Sequence, residues 1–359
     1  MNDFINLNNN NRVLIAMSGG IDSSVAAFLI KEQGYDCAGA TMKLFGESND
    51  LNINFTEIKD AQNTASFLGI SHYICDFKDS FDKKVLKHFV ESYIKGCTPN
   101  PCVVCNKFIK FGRMLQTAEE LNYDFVATGH YANVEYDEIT GRYLLKKAAD
   151  IKKDQSYVLY SLTQKQLKNI KFPLGNLTKQ EVRKIAEEQG FINAHKKDSQ
   201  DICFIPDGDY IGFIERYSGK TFPEGDFIDI SGKILGRHKG IIRYTAGQRR
   251  GLGLALPEPM YVKDKNIEEN TVILCREQEL YAKELTAHAI NFIPFDRLNN
   301  KIKIKAKIRY NQAEQPAFVE QIDEDIFHIE FESPQRAITR GQAVVLYDGD
   351  IVVGGGTIG

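Results

Sequence analysis

Over the first two hundred residues, short apolar runs alternate with segments whose apolar positions recur every three or four residues. Val13–Met17 and Ala38–Met42 have the length and composition of buried strands, and Asp124–Thr128 reads as a further strand running into Gly129 and His130. Ser24–Gln33 is amphipathic and stops at Gly34. Asp79–Lys95 places Phe81, Val85, Leu86, Phe89, Val90, Tyr93 and Ile94 at helical spacing and is closed by Gly96; Asn106–Leu121 is another helix. This alternation predicts the α/β class, with a doubly wound parallel sheet carrying helices on both faces. Ligands of such sheets lie beyond the carboxyl ends of the strands, where the loop at Ser18, Met42 and Gly129 all fall.

Asn133–Lys147 reads as a hairpin turning at Thr140-Gly141. Thr178-Lys179-Gln180-Glu181 is a capping box that opens a helix to Gln189, with Gly190 after it; both features read as scaffold. After about Pro206 helical periodicity fades, and short alternating segments separated by glycines take over. The expected division is 1–206, a small linking domain at 207–280, and an all-β domain at 281–359. Lys301–Tyr310 is the clearest strand. Alternation sets Lys301, Lys303, Lys305, Lys307 and Arg309 on one face and Ile302, Ile304, Ala306 and Ile308 on the other, toward a barrel or sandwich core.

Composition fits this picture. The chain has 359 residues, 43% hydrophobic and 26% charged, with no apolar run of membrane-spanning length. Met1–Arg12 is polar and Asn-rich, lacks a signal-peptide core, and reads as a short flexible tail on a cytoplasmic protein. A net charge of −3 gives no global attraction to nucleic acid. Locally, Arg237, His238, Lys239, Arg243, Arg249 and Arg250 gather with no acid among residues 237–250, and with the Lys301–Arg309 face they suit a phosphate backbone. Seven cysteines in a reducing compartment are expected as thiols, with Cys37, Cys75 and Cys275 in the core and Cys97 without distinguishing context.

The most informative stretch is Val13-Leu-Ile-Ala-Met-Ser-Gly-Gly-Ile-Asp-Ser-Ser24, a strand, a tight small-residue loop and a helix. Glycines let backbone N–H groups approach an anion, and the helix N-terminus adds partial positive charge. The loop lacks the Gly-Lys-Ser/Thr ending of a Walker loop and the three-glycine spacing of dinucleotide folds. Ser18–Ser23 instead resembles the PP-loop of ATP pyrophosphatases, which cut ATP between the α and β phosphates.

A second candidate is Thr98-Pro-Asn-Pro-Cys-Val-Val-Cys-Asn106, a proline-framed approach to a helix. Cys105 is expected at or beside the helix N-terminus, where the dipole favours thiolate. A Cys-x-x-Cys pair also suits half of a zinc site, although no second pair of that spacing exists. Cys203, in Asp198–Ile205, has no special context of its own.

The PP-loop, Thr98–Asn106, Ala127–Ala132, Lys153–Tyr157, Asp198–Ile205 and Tyr244–Arg249 occur in one order that closely resembles the bacterial tRNA-specific 2-thiouridylases (the MnmA family) over essentially the entire chain. The resemblance implies a PP-loop domain, a small central domain and a C-terminal β-barrel. It implies replacement of the 2-oxygen of the wobble uridine by sulfur, in tRNAs for Lys, Glu and Gln, with release of AMP and pyrophosphate. It implies ATP contacts from Ala16, Met17, Ser18, Gly19, Gly20, Ile21, Asp22, Ser23, Met42 and Gly129, with Asp22 placed toward Mg²⁺ or the pyrophosphate. Asn100, Pro101 and Cys102 border the flipped base in this reading, and His130, Lys153, Asp154, Gln155, Arg309, Tyr310 and Gln342 touch tRNA. Cys105 and Cys203 match the catalytic pair, nucleophile and persulfide carrier, ending as a disulfide; a cysteine desulfurase or relay protein supplies the sulfur, and the simple expectation is a monomer. Many relatives carry Asp where this chain has Cys102. Convergence of Cys102, Cys105 and Cys203 would therefore suit a [4Fe-4S] cluster, the alternative to a persulfide. Other functional classes are a PP-loop amide, nucleotide or lysidine synthetase, which needs no paired thiols, and an ATP-sensing RNA-binding module, which would release no AMP.

Overall fold

Arg12–Ala16 is the middle strand of a five-stranded parallel sheet, in the order Ser71–Asp76, Asp36–Lys43, Arg12–Ala16, Phe125–Thr128, Ile170–Lys171. The computed structural model describes residues 11–45, 53–193 and 202–359. The expected tail over residues 1–10 and the Asp198–Asp201 part of the later motif lie outside the described residues. Leu14 faces Ala38 on one side and Val126 on the other, in parallel register. Val13, Leu14 and Ile15 are all fully buried, because helices cover both faces of the sheet. Val13, Ile15 and Ala127 join the core made by the helices Ile21–Glu32, Ile53–Phe67 and Lys179–Glu188. The opposite face is covered by Met114–Glu120. The α/β reading holds, and this sheet is the platform for the loop at Ser18.

The described residues fall into two compact units. The first draws on Met1–Lys84, Val103–Gln200 and Asp350–Val352, and holds the parallel sheet and the hairpin Asn133–Asp137/Arg142–Lys146. That hairpin turns at Gly141, whose φ of +68° suits glycine, and Lys146 pairs with Ile351.

The second unit draws on Val85–Cys102, Asp201–Gly349 and Val353–Gly359. It begins its central part with a helix, Tyr210–Ser218, that the fading periodicity did not predict. Asp209 caps this helix, and Gly219 ends it in the left-handed conformation. A four-stranded sheet follows, ordered Tyr261–Asn266, Thr271–Cys275, Gly225–Asp229, Ile234–His238. The last part is a closed β-barrel: the order Tyr281–Phe292, Ile326–Arg336, Gln315–Asp323, Ile302–Lys307, Ala343–Asp348, Ile351–Ile358 returns to the first strand. Ile304, Ala306 and Ile308 enter its core, as alternation required.

The basic stripes are less open than their sequence suggests. Lys301 pairs with Glu330 at 2.8 Å and Lys303 with Glu332 at 2.7 Å, acids contributed by the strand Ile326–Arg336. Arg237 pairs with Asp226 at 2.8 Å. His238 is fully buried between Asn270 and the Gly240 amide, and burial pushes its pKa down. Partners distant in sequence therefore neutralise part of the positive charge counted along the chain.

Candidate active site

Helix Ile21–Glu32 starts as soon as the small-residue loop ends, three residues earlier than its amphipathic pattern indicated. Gly20 is its extended N-cap, and Ser24 N–H makes the first intrahelical bond, to Gly20 O at 3.2 Å. The amides of Ile21, Asp22 and Ser23 have no acceptor within the helix, which is the condition for holding an anion. Gly19 has φ +72°, and a Cβ there would lie 2.4 Å from the Glu57 carbonyl. Ser23 closes the loop, accepting from the Ser18 amide at 3.1 Å and donating to Gly20 O at 3.0 Å. Ala16 ends the central strand, Met17 is buried and Ser18 is exposed. Met42 lies half-buried in the neighbouring strand, opposite Cys75. Gly129 follows the strand Phe125–Thr128 and packs on the helix start; a Cβ on it would stand 2.8 Å from the Asp22 carbonyl carbon and 2.9 Å from the Ser23 nitrogen.

Asp22 does not stand open toward a ligand. Lys179 Nζ lies 2.7 Å from Oδ1 and 2.8 Å from Oδ2, and the Tyr131 hydroxyl donates to Oδ1 at 2.8 Å. Tyr131 is itself set by Gln155, whose Oε1 accepts from the Tyr131 amide at 3.0 Å and whose amide donates to the Tyr131 carbonyl at 2.8 Å. The Thr178/Glu181 capping box is present and does more than end a helix: it fixes the first turn from which Lys179 reaches Asp22. Asn193 donates to Gly19 O at 3.2 Å and to Ser24 Oγ at 2.8 Å, bracing the loop from the other side.

Two residues expected to touch RNA are buried instead. His130 packs among Phe111 and Phe172, with Nδ1 2.7 Å from Thr128 Oγ1 and Nε2 3.4 Å from the Lys110 ammonium. Burial, with a smaller push from Lys110, holds its pKa well below the usual histidine range. Asp154 accepts from the Ala148 amide at 2.9 Å and from Ser156 Oγ at 2.7 Å, shaping the turn from within. Lys153 and Gln155 beside it are half-buried.

The thiol helix begins at Pro101, not Asn106. Asn100 Oδ1 caps it by accepting from the Cys102 amide at 3.1 Å, and proline suits the first helical position. The place at the N-terminus expected for Cys105 thus belongs to Cys102, which is exposed; Cys105 lies a turn farther along and is buried. The helix dipole acts mainly on the first turn. In the second unit, Gln342 Nε2 donates to Thr98 O at 2.7 Å, while the Thr98 amide donates to Arg340 O at 2.8 Å. The approach to Asn100 and Pro101 is thereby tied to the barrel. Arg309 Nη2 donates to Ala337 O at 2.6 Å, and Tyr310 is exposed under the Lys307 ammonium, 5.7 Å from its ring centroid. Cys203 is exposed in a turn, followed by Phe204 buried against Phe89 and Phe213. Cys75 and Cys275 are buried and Cys37 half-buried.

All seven cysteines are thiols. Among the described residues no group of three or more His, Cys, Asp or Glu is arranged to hold a metal ion. Asp22 faces the Lys179 ammonium.

Models of protein families match three successive stretches: the tRNA methyl transferase HUP domain at residues 11–207, the tRNA methyl transferase PRC-barrel domain at 211–276, and the aminomethyltransferase beta-barrel domain at 282–358. The tRNA-specific 2-thiouridylase MnmA of Clostridioides difficile is 48% identical over 354 residues, covering 97% of this chain and 98% of that protein. Its counterpart from Acetivibrio thermocellus is 49% identical, covering 97% and 99%. MnmA 1 of Caldanaerobacter subterraneus is 51% identical over 356 residues, covering 97% and 98%. The chain belongs to the tRNA-specific 2-thiouridylase family.

For a thiouridylase, the motif reading overlooked three residues at the loop: Tyr131, Lys179 and Asn193. Tyr131 lies inside the Ala127–Ala132 motif, which by itself marks no role for it, and Lys179 lies inside a capping box that reads as scaffold. Asn193 carried no local signal. No helix among the described residues is long and apolar enough to cross a membrane.

Proposed function

We propose that this chain installs sulfur at C2 of the wobble uridine of tRNAs for Lys, Glu and Gln, consuming ATP. The observation that carries the reading is an anion-binding helix start, Gly20–Ser23, held against Gly129 in a chain similar to thiouridylases over 97% of its length. ATP enters as its Mg²⁺ complex, with its phosphates over the amides of Ile21, Asp22 and Ser23 and its base between Met42 and Gly129. Magnesium arrives on the nucleotide, since it is commonly held by substrate phosphates with few protein ligands. Lys179 orients Asp22 and adds positive charge where pyrophosphate departs.

The uridine C2 oxygen attacks the α phosphorus, and pyrophosphate leaves. AMP then makes the oxygen a good leaving group. The terminal sulfur of a Cys203 persulfide attacks C2 and AMP departs, leaving a disulfide between uridine sulfur and Cys203. The Cys105 thiolate attacks the Cys203 sulfur, releasing 2-thiouridine and forming a Cys105–Cys203 disulfide, which a thiol reductant reopens. A cysteine desulfurase or relay protein reloads Cys203. Asn100, Pro101 and Cys102 border the extruded base, because a stacked base cannot react. Lys153, Gln155, Arg309, Tyr310 and Gln342 serve the tRNA, while His130 and Asp154 act by positioning. The parts 1–206, 207–280 and 281–359 act together as a cytoplasmic monomer.

Mass spectrometry of nucleosides from tRNA treated with protein, Mg·ATP and a persulfide donor is expected to detect 2-thiouridine at the wobble position, with one AMP and one pyrophosphate per event. AMP and pyrophosphate without a thionucleoside would overturn the thiolation reading; neither product would leave only a binding module.

A further inference from the structure

Lys265 lies in the strand Tyr261–Asn266, and its Nζ is withdrawn from solvent with no hydrogen-bond acceptor among the described residues. An unpaired buried ammonium is costly, so its retention calls for a compensating anion. Burial holds its pKa down at about 8, with the Cys97 thiol and Asp264 raising it and Arg340 lowering it. The same lysine lines a cavity of about 90 Å³ whose other polar side chains are Thr98, Lys263, Asp264, Thr339 and Arg340. Of these six side chains three are cationic, two carry hydroxyls and one is a carboxylate, Asp264, whose Oδ1 accepts from the Lys265 backbone amide at 2.8 Å; the net positive set suits the oxygens of one phosphate.

The cavity's surroundings identify the source of that phosphate. Thr98 is the residue Gln342 holds, two positions before Asn100. Thr339 Oγ1 lies 3.4 Å from Arg309 Nη2. Ala246, from the Tyr244–Arg249 motif that the proposed function leaves unused, completes the wall. Arg309 and Gln342, both proposed to serve the tRNA, thus hold two residues of the pocket wall, Thr339 and Thr98, within one compact unit.

We infer that this cavity receives one backbone phosphodiester of the bound RNA, with Lys265 as its central donor and Lys263 and Arg340 at its rim. This rests on the tRNA reading above and extends it to residues outside the motifs. The four-carbon lysine stem has the freedom to swing its ammonium onto the incoming oxygen.

The test is tRNA binding by full-length Lys265→Met and Arg340→Met as a function of salt. Lys265→Met is expected to weaken tRNA binding about fivefold at 0.1 M salt and to lower the log–log salt slope by about 0.7–0.9, the signature of one lost phosphate contact, with Arg340→Met smaller in the same direction. Because a phosphate carries no sequence information, the loss should be equal across tRNAs. ATP affinity should be unchanged, and the unfolding temperature of Lys265→Met without RNA should equal or exceed that of the parent, since an unpaired charge is gone. An unchanged affinity and slope would overturn the inference, as would a lowered unfolding temperature in both variants. Inorganic phosphate that stabilises the parent but not Lys265→Met, with tRNA binding unaffected, would mark a free-phosphate site and overturn the RNA assignment. Failure of the thiolation assay on the parent would instead strike the proposed function, independently of these binding curves.

Discussion

The ammonium of Lys179 bridges both carboxylate oxygens of Asp22, at 2.7 and 2.8 Å, across 157 residues of sequence. The Lys179 side chain is only 9% exposed and that of Asp22 31%. Removing the cation strips the carboxylate of its ion pair and leaves the Tyr131 hydroxyl donating to it. Lys179→Met is therefore expected to lower stability by about 2 kcal/mol, measured by urea unfolding. It should also cut tRNA-dependent pyrophosphate release at least tenfold at saturating ATP. Retention of full release would show the pair to be structural only.

Gly129 packs tightly behind the loop. A methyl group at 2.8–2.9 Å from the Asp22 and Ser23 backbone must push the helix start away. Gly129→Ala should cost about 1–3 kcal/mol and raise the KM for ATP at least tenfold. Isothermal titration with a non-hydrolysable ATP analogue checks it; unchanged affinity refutes the placement of the nucleotide.

Cys105→Ser and Cys203→Ser are expected to abolish thiolation while leaving AMP and pyrophosphate release within twofold of the parent, because adenylation precedes sulfur transfer in the proposed sequence. Each variant is assayed by nucleoside mass spectrometry and by pyrophosphate release in parallel. Substantial 2-thiouridine from either would remove that residue from the proposed pair. Cys37→Ser offers the control with activity retained.

Stability should fall as pH drops below about 6.5. Burial lowers the pKa of His72, His130 and His238, most strongly for His130. A group whose folded pKa is depressed binds more protons when unfolded, so acid favours the unfolded chain over the window from the unfolded value downward. His130 alone contributes a slope of at most about 1.4 kcal/mol per pH unit. Urea midpoints between pH 7.5 and 5.5 test this, and His130→Gln should flatten the decline. A midpoint independent of pH would contradict the burial of these rings.

Much of the first unit was legible in order. The strands at Val13, Ala38 and Asp124 sit within two residues of their expected limits, because continuous apolar runs mark strands covered on both faces. Element starts were less legible where loop chemistry governs them. The helices beginning at Ile21 and Pro101 start three and five residues before their apolar periodicity does, since a glycine cap and an asparagine–proline cap set their first turns. The basic stripe at Lys301 reads correctly as a strand, and two of its lysines carry ion pairs that the linear pattern does not show. Its acidic partners lie on the strand Ile326–Arg336, at a distance no linear count sees.

The chain's linear pattern by itself determined the α/β class, the strand–loop–helix at residues 13–24, the barrel strand and the family, because period, glycine placement and motif order are local properties. Only the tertiary structure decided that Lys179 holds Asp22, that His130 and Asp154 are buried, that Cys102 rather than Cys105 occupies the first helical turn, and that the Lys265 ammonium is buried beside a small cavity with no hydrogen-bond acceptor among the described residues. Those facts depend on which distant side chains share a few ångströms of space. Electrostatics and burial are set at that range, not along the sequence.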